Sequence, residues 1–247
     1  MEIIRLILSP FWKIIFLLHF AISFLVFYPF LLVFLSKRKW YKYAFVCQKI
    51  IARWICWGSL IFVKRYARTD LSTLPQPCVI VANHASYLDI VISYLFLKKY
   101  YVFMAKIELN KAPLFNIFFK DMQIAVDRKS RVGSHKAFVR AAEEIDAGHS
   151  VFIFPEGTLS SEGTLKPFKN GPFKLAIDKQ VPLVVITYLN NWKILQNGGF
   201  FKSYGKPGIA RVVIHPVIST VGMTDENLVS LRQQVYDLTQ NTLNELK

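Results

Sequence analysis

Two regimes of hydrophobic patterning divide this chain. Residues 14–36 contain no charged side chain, and as a helix they would span roughly 34 Å, enough to cross a hydrocarbon core. Lys13 flanks one end, and Lys37, Arg38, Lys39 and Lys42 flank the other. The heavier positive flank predicts that everything downstream stays on the cytoplasmic side. The run exceeds the apolar region of a cleaved signal peptide, no small-residue cleavage site follows it, and Pro29 permits a kink or a re-entrant path. A second apolar stretch, 45–63, carries Lys49 and Arg53 among Ile50, Ile51, Trp54, Ile55 and Trp57. That spacing suits an interfacial helix better than a second span; the alternative is an amphipathic helix packed on the domain. Residues 1–70 are expected to form a membrane anchor, as one span or hairpin, with an interfacial helix.

After Pro75 and Pro77 the pattern changes. Short apolar runs predict strands over 78–82, 101–105, 123–126, 150–154, 183–188 and 211–215. Helical periodicity predicts helices over 88–97, 114–119, 134–147, 171–179 and 225–246, with Ser134 as a cap and Gly148 as a stop. Strands alternating with helices imply an α/β domain over residues 71–247, with a mostly parallel sheet covered by helices.

Charge sharpens this division. The net charge is +15; residues 1–70 hold eleven Lys/Arg against two acids, and residues 71–247 hold twenty against fourteen. The excess beside the apolar N-terminus suits an anionic membrane surface. No zinc-finger spacing, RNP-like strand or groove-reading basic helix is present, so nucleic acid is not the expected partner. Cys47, Cys56 and Cys78 form no CxxC pair, which points to a reducing, cytosol-facing domain without a disulfide framework or structural zinc.

The candidate chemistry gathers at strand exits, where open α/β sheets place their sites. His84 and Asp89 lie five positions apart, so on one uninterrupted helix they would point about 140° away from each other. They meet if His84 occupies the loop leaving the strand and Asp89 the start of the next helix. A His oriented by a carboxylate is a general base. A second cluster, Phe154-Pro155-Glu156-Gly157-Thr158, leaves another apolar strand, and its Gly frees backbone N–H groups for an anion. Lys106, Arg128 and Lys169 sit near further strand ends, and together these elements suggest a phosphorylated ligand. Ser86 lacks a Gly-x-Ser-x-Gly elbow, and His84, His135, His149 and His215 lack the spacing of a metal site.

In this order, His84/Asp89, Asp127-Arg128, the Phe-Pro-Glu-Gly-Thr run and Val181-Pro182-Leu183-Val184-Val185 resemble the four blocks of the glycerolipid acyltransferase family, over residues 78 to 217. The bacterial lysophosphatidate enzymes are the nearest pattern. The resemblance implies His84 as base and Asp89 as its orienting partner. It implies Arg128, Glu156, Gly157 and Thr158 at the acceptor glycerol phosphate, with Lys106 near that phosphate. It implies acyl transfer from acyl-CoA or an acyl carrier protein thioester to lysophosphatidate, with no cofactor, at a bacterial inner membrane. Backbone N–H groups are expected to stabilise the oxyanion. One departure is Leu159, where the family commonly has Arg. Arg128, Lys106 or Lys169 would then compensate, or the acceptor would be another lysolipid, such as one containing an amino acid. A membrane lipid-binding module without catalysis is the reading from a different class.

Overall fold

The computed structural model describes residues 2–69, 74–111, 114–160 and 163–246, except for the side chains of 2–7 and 115. Seven strands form one sheet in the order β1-β7-β6-β2-β5-β3-β4. They are β1 (Ile61–Ala67), β2 (Val79–Ala82), β3 (Tyr101–Lys106), β4 (Ile124–Val126), β5 (Ser150–Ile153), β6 (Leu183–Tyr188) and β7 (Gly208–Ile214). Neighbours pair in parallel except β6 and β7, which are antiparallel. The mostly parallel sheet is as expected.

The central strands read as unbroken apolar runs because helices bury both faces. On one face Val79, Val81, Val151, Ile153, Leu183 and Val185 meet α4 (Arg131–Asp146), α5 (Gly171–Asp178) and α7 (Leu228–Glu245). On the other, Ile80, Ala82, Phe152, Val184 and Ile186 meet α1 (Glu2–Phe34), α2 (Tyr41–Gly58) and α3 (Leu88–Phe96). Ser130 rather than Ser134 caps α4, accepting the Gly133 N–H at 3.0 Å, while Ser134 Oγ donates to the Asp127 carbonyl. Residues 114–119 form a 3-10 turn, Phe115–Phe119, in place of an α-helix.

The sheet begins before the expected boundary at residue 70. The stretch 45–63 divides at Gly58: α2 ends there and β1 follows, pairing with β7 from Ile61 to Ala67. Nor is α2 simply interfacial. It buries Phe45, Ile51 and Ile55, and the Phe45 ring lies 5.0 to 5.6 Å from those of Tyr94, Tyr100 and Tyr101. The aromatic residues of the domain give one face of this helix a dry surface, while Tyr43, Val46, Ile50, Trp54 and Trp57 stay exposed on it.

Helix α1 runs unbroken through Pro10 and Pro29, and from Leu8 to Phe34 it is long and apolar enough to cross a membrane. It also packs on the domain along its length. Near its start Trp12 Nε1 donates to the Ser59 carbonyl at 2.9 Å and Lys13 Nζ to the Phe200 carbonyl at 2.8 Å; further on Phe24 meets Phe118 edge-on. A Cβ on Gly58 would lie 2.4 Å from the His19 ring, so a larger residue there would displace that ring.

Candidate active site

Four parallel strands deliver their exits to one rim. In sheet order these are His84 after β2, Glu156 after β5, Lys106 at the end of β3 and Arg128 after β4. Continuing the alternation from Ala82, the His84 ring faces the α1–α3 side and stacks on Phe154, with centroids 3.8 Å apart. Its Nδ1 lies 3.0 Å from Asp89 Oδ2. Asp89 sits in the first turn of α3 and is fully buried, so the loop-to-helix geometry expected for this pair is present. The same Oδ2 accepts the N–H groups of Ala85 and Ser86, each at 2.9 Å, and Oδ1 accepts Asn191 Nδ2 at 2.7 Å. Four donors hold this carboxylate in place. It fixes the proton on Nδ1 and leaves Nε2 as the basic nitrogen.

Glu156, expected at the acceptor, faces inward instead. It is 3% exposed; Oε1 accepts the His84 N–H at 2.7 Å and Oε2 the Lys166 N–H at 3.0 Å. It braces the loop that carries His84. Burial pushes its carboxyl up to about 7, although both N–H donors favour the ionised form. The folded state therefore holds this proton more tightly than the unfolded chain does. Its contribution to stability is present at low pH and is lost as pH rises from the ordinary 4.5 through about 7. The loss amounts to about 3 kcal/mol. Glu156→Gln has no such proton, so across pH 5 to 8 the melting temperature of the wild type should fall relative to this variant. A constant difference between the two melting curves would contradict the assignment.

Gly157 adopts φ +68°, in the left-handed region, and a Cβ there would lie 2.9 Å from Lys169 Nζ. Arg128 Nη1 donates to the Gly157 carbonyl from the opposite chain segment. Arg128 and Lys169 thus converge on the turn that exposes Thr158. Lys106 is exposed, at the end of β3 between β5 and β4, and pairs with Glu108 at 3.3 Å. Ser86 is no nucleophile: it is fully buried and its Oγ donates to the Leu195 carbonyl at 2.6 Å. The N–H groups of His84, Ala85, Ser86 and Gly157 are all taken within the protein, so an oxyanion cannot use them. Among the described residues no group of three or more His, Cys, Asp or Glu could hold a metal.

A family model described as Acyltransferase matches residues 63–189, a span containing His84, Asp89, Lys106, Arg128, Glu156, Gly157, Thr158 and Lys169. The chain belongs to the Acyltransferase family. This acyltransferase-family chain is 35% identical over 201 residues to a chloroplastic 1-acyl-sn-glycerol-3-phosphate acyltransferase of Brassica napus, covering 77% of itself and 54% of that protein. It is 29% identical over 163 residues to a 1-acyl-sn-glycerol-3-phosphate acyltransferase of Borreliella burgdorferi, covering 64% of each. It spans about half the length of the plant relatives it matches. The crystal structure of the 1-acyl-sn-glycerophosphate acyltransferase PlsC of Thermotoga maritima superimposes with a TM-score of 0.76 at 23% identity, over 100% of this chain and 98% of that one, which establishes a shared fold.

Three further residues support these groups, of which Asn191 and Lys166 escape a reading of the sequence. Asn191 opens the short helix α6 (Asn191–Ile194) just past β6, which lies beside β2, and so reaches Asp89 from 102 positions away. Asn83 pairs both amide groups with the Tyr188 backbone, at 2.8 and 2.9 Å, extending the β2–β6 ladder to the edge of His84. Lys166 donates from Nζ to the Leu159 carbonyl at 2.8 Å. It brings a cation to the turn where the family arginine is absent, beside a cleft of about 210 Å³ lined by Ala85, Trp192 and Gln196.

Proposed function

We propose that this chain transfers a fatty acyl group from an acyl-CoA or acyl carrier protein thioester to the sn-2 hydroxyl of 1-acyl-glycerol-3-phosphate, forming phosphatidate. His84 Nε2 takes the hydroxyl proton as the oxygen attacks the thioester carbonyl. Asp89 stabilises the imidazolium that results. When the tetrahedral intermediate collapses the carbon–sulfur bond breaks, and His84 returns the proton to the departing thiolate. The thioester is already activated, so no enzyme nucleophile is needed. Arg128 and Lys169, with Gly157, Thr158 and Lys106 around them, are the acceptor-phosphate side, and Lys166 supports it near Leu159.

The observation that carries this reading is the 3.0 Å His84–Asp89 pair on a rim with Arg128 and Lys169 turned toward one glycine. The apolar α1 supports a membrane seat, which we assign to the cytoplasmic face of a bacterial inner membrane. Full-length protein in phospholipid vesicles, given lysophosphatidate and an acyl thioester, should form phosphatidate and release one free thiol per acyl group. Release of free fatty acid instead would overturn the reading. Because Leu159 removes a phosphate donor, an amino-acid-containing lysolipid is the competing acceptor; adding both in equal amounts with one donor separates the two.

A further inference from the structure

We propose that the turn 57–60, together with Phe201, is a wedge that enters an anionic bilayer leaflet beside the catalytic rim; the inference extends the acyltransferase reading and rests on it. Three large apolar side chains project there: Trp57 is 79% exposed, Leu60 58% and Phe201 78%. Leu60 also holds φ +54°, a left-handed conformation that leucine adopts only under strain. Glycine would sit there without strain. Leucine instead keeps an apolar side chain out in solvent.

These positions belong to one body. Gly208 N–H donates to the Leu60 carbonyl at 3.1 Å, tying the turn to the start of β7. Trp12 of α1 donates to Ser59, Lys13 to Phe200, and Gly205 N–H to Ser9 Oγ at 2.7 Å. The topology then sets the direction. β7 runs antiparallel to β6, and β1 runs with β7. Their starts therefore lie at the sheet end where β2 and β5 finish, the end that carries His84 and Glu156. The loop after α6 joins the two regions directly: Ser86 Oγ donates to the Leu195 carbonyl, and Gln196 N–H donates to the Tyr204 carbonyl at 2.9 Å. Seating the wedge in a leaflet would bring His84 to the depth where a lysolipid hydroxyl lies.

Charge selects the occupant. No acidic residue occurs between residues 3 and 69 or between 179 and 224, the two segments that build the wedge. Arg53, one helical turn before Trp57, and Lys202 and Lys206, which flank Phe201 and the start of β7, are exposed. An apolar tip inside a basic collar fits a surface of anionic headgroups over acyl chains. A second copy of this chain would set two basic collars against each other, which is unfavourable.

The test uses the full chain in mixed phosphatidylglycerol and phosphatidylcholine vesicles with brominated acyl chains, which quench tryptophan on contact. Comparing wild type with Trp57→Phe isolates the emission of Trp57, and that share should be quenched. The double variant Trp57→Ser/Phe201→Ser should lose about tenfold in kcat/KM on lysophosphatidate embedded in these vesicles, the effect of removing roughly two apolar contacts from lipid. On a short-chain lysophosphatidate kept monomeric in solution, the same variant should match the wild type. Leu60→Gly should melt higher, by relief of strain, and yet also lose activity on vesicles. An unquenched Trp57, equal losses on both acceptor forms, unchanged vesicle activity of Leu60→Gly, or burial of Trp57 in a dimer would each overturn the wedge. If the wild type transfers no acyl group, the acyltransferase reading fails while the quenching still decides this inference.

Discussion

His84→Ala should lower acyl transfer by about 10³ to 10⁴ in kcat at saturating concentrations of both substrates, the loss expected when a general base and its proton return are both removed. Few other effects are available to blur the measurement. The ring contacts Phe154 on one side and Asp89 through Nδ1, and the backbone of residue 84 stays tied through its N–H to Glu156 and its carbonyl to Ser160. The variant should therefore keep its fold, with a stability loss of about 1 kcal/mol from the lost stacking. Free imidazole should occupy the vacated face of Phe154 and restore part of the rate, since the missing group is a base and not a covalent partner. A fall of less than about tenfold, with the fold intact, would remove His84 from the chemistry.

The legible part of this protein is what the chain writes locally. The β2 run Val-Ile-Val-Ala and the five-residue step from His84 to Asp89 are contiguous, so one strand exit and one helix start are enough to predict their contact. Glu156 was legible as a member of the rim but not in its role, because its partners are backbone N–H groups of residues 84 and 166, which no side-chain pattern encodes. β1 was hidden for two reasons. Its residues Ile-Phe-Val-Lys-Arg-Tyr-Ala follow the apolar α2 without a proline or a polar linker, and as an edge strand it carries Lys64 and Arg65 where a central strand would be apolar. Only its ladder with β7, nearly 150 residues later, identifies it.

The same distinction governs the N-terminal helices. Hydropathy reads α1 correctly as long and apolar, but hydropathy is blind to what the other face touches. Ser9 and Phe24 meet segments 196 and 94 positions downstream, and Trp12 meets the turn between α2 and β1, so the apolar stripe is shared between the domain and its surroundings. Tyr41 Oη to Asp121 Oδ2 at 3.0 Å and Arg38 to Glu144 at 2.8 Å pin the start of α2 to the far edge of the sheet. Long-range polar contacts of this kind decide orientation and leave no periodic trace.

Asp89→Asn should cost about 10² to 10⁴ in kcat while costing little stability, and the reason lies in Asn191. Asp89 accepts three hydrogen bonds on Oδ2 and one on Oδ1. In the variant the amide oxygen can keep the three at Oδ2, which places the new NH₂ opposite Asn191 Nδ2, donor against donor. Asn191 Oδ1 has no partner among the described residues, so rotating its amide by half a turn converts the clash into a hydrogen bond. Stability should then fall by about 1 kcal/mol. The charge that stabilises the imidazolium is gone, however, and the rate falls with it. Asp89→Ala has no such escape: three donors around Oδ2 and Asn191 Nδ2 are left buried without an acceptor, which should cost about 3 to 5 kcal/mol in addition to the rate. Denaturant unfolding alongside kcat separates the two variants. If Asp89→Asn were as unstable as Asp89→Ala, the carboxylate would be holding the fold chiefly by its charge; if Asp89→Asn kept the wild-type rate, Asp89 would be a structural cap on α3 and His84 would act without it.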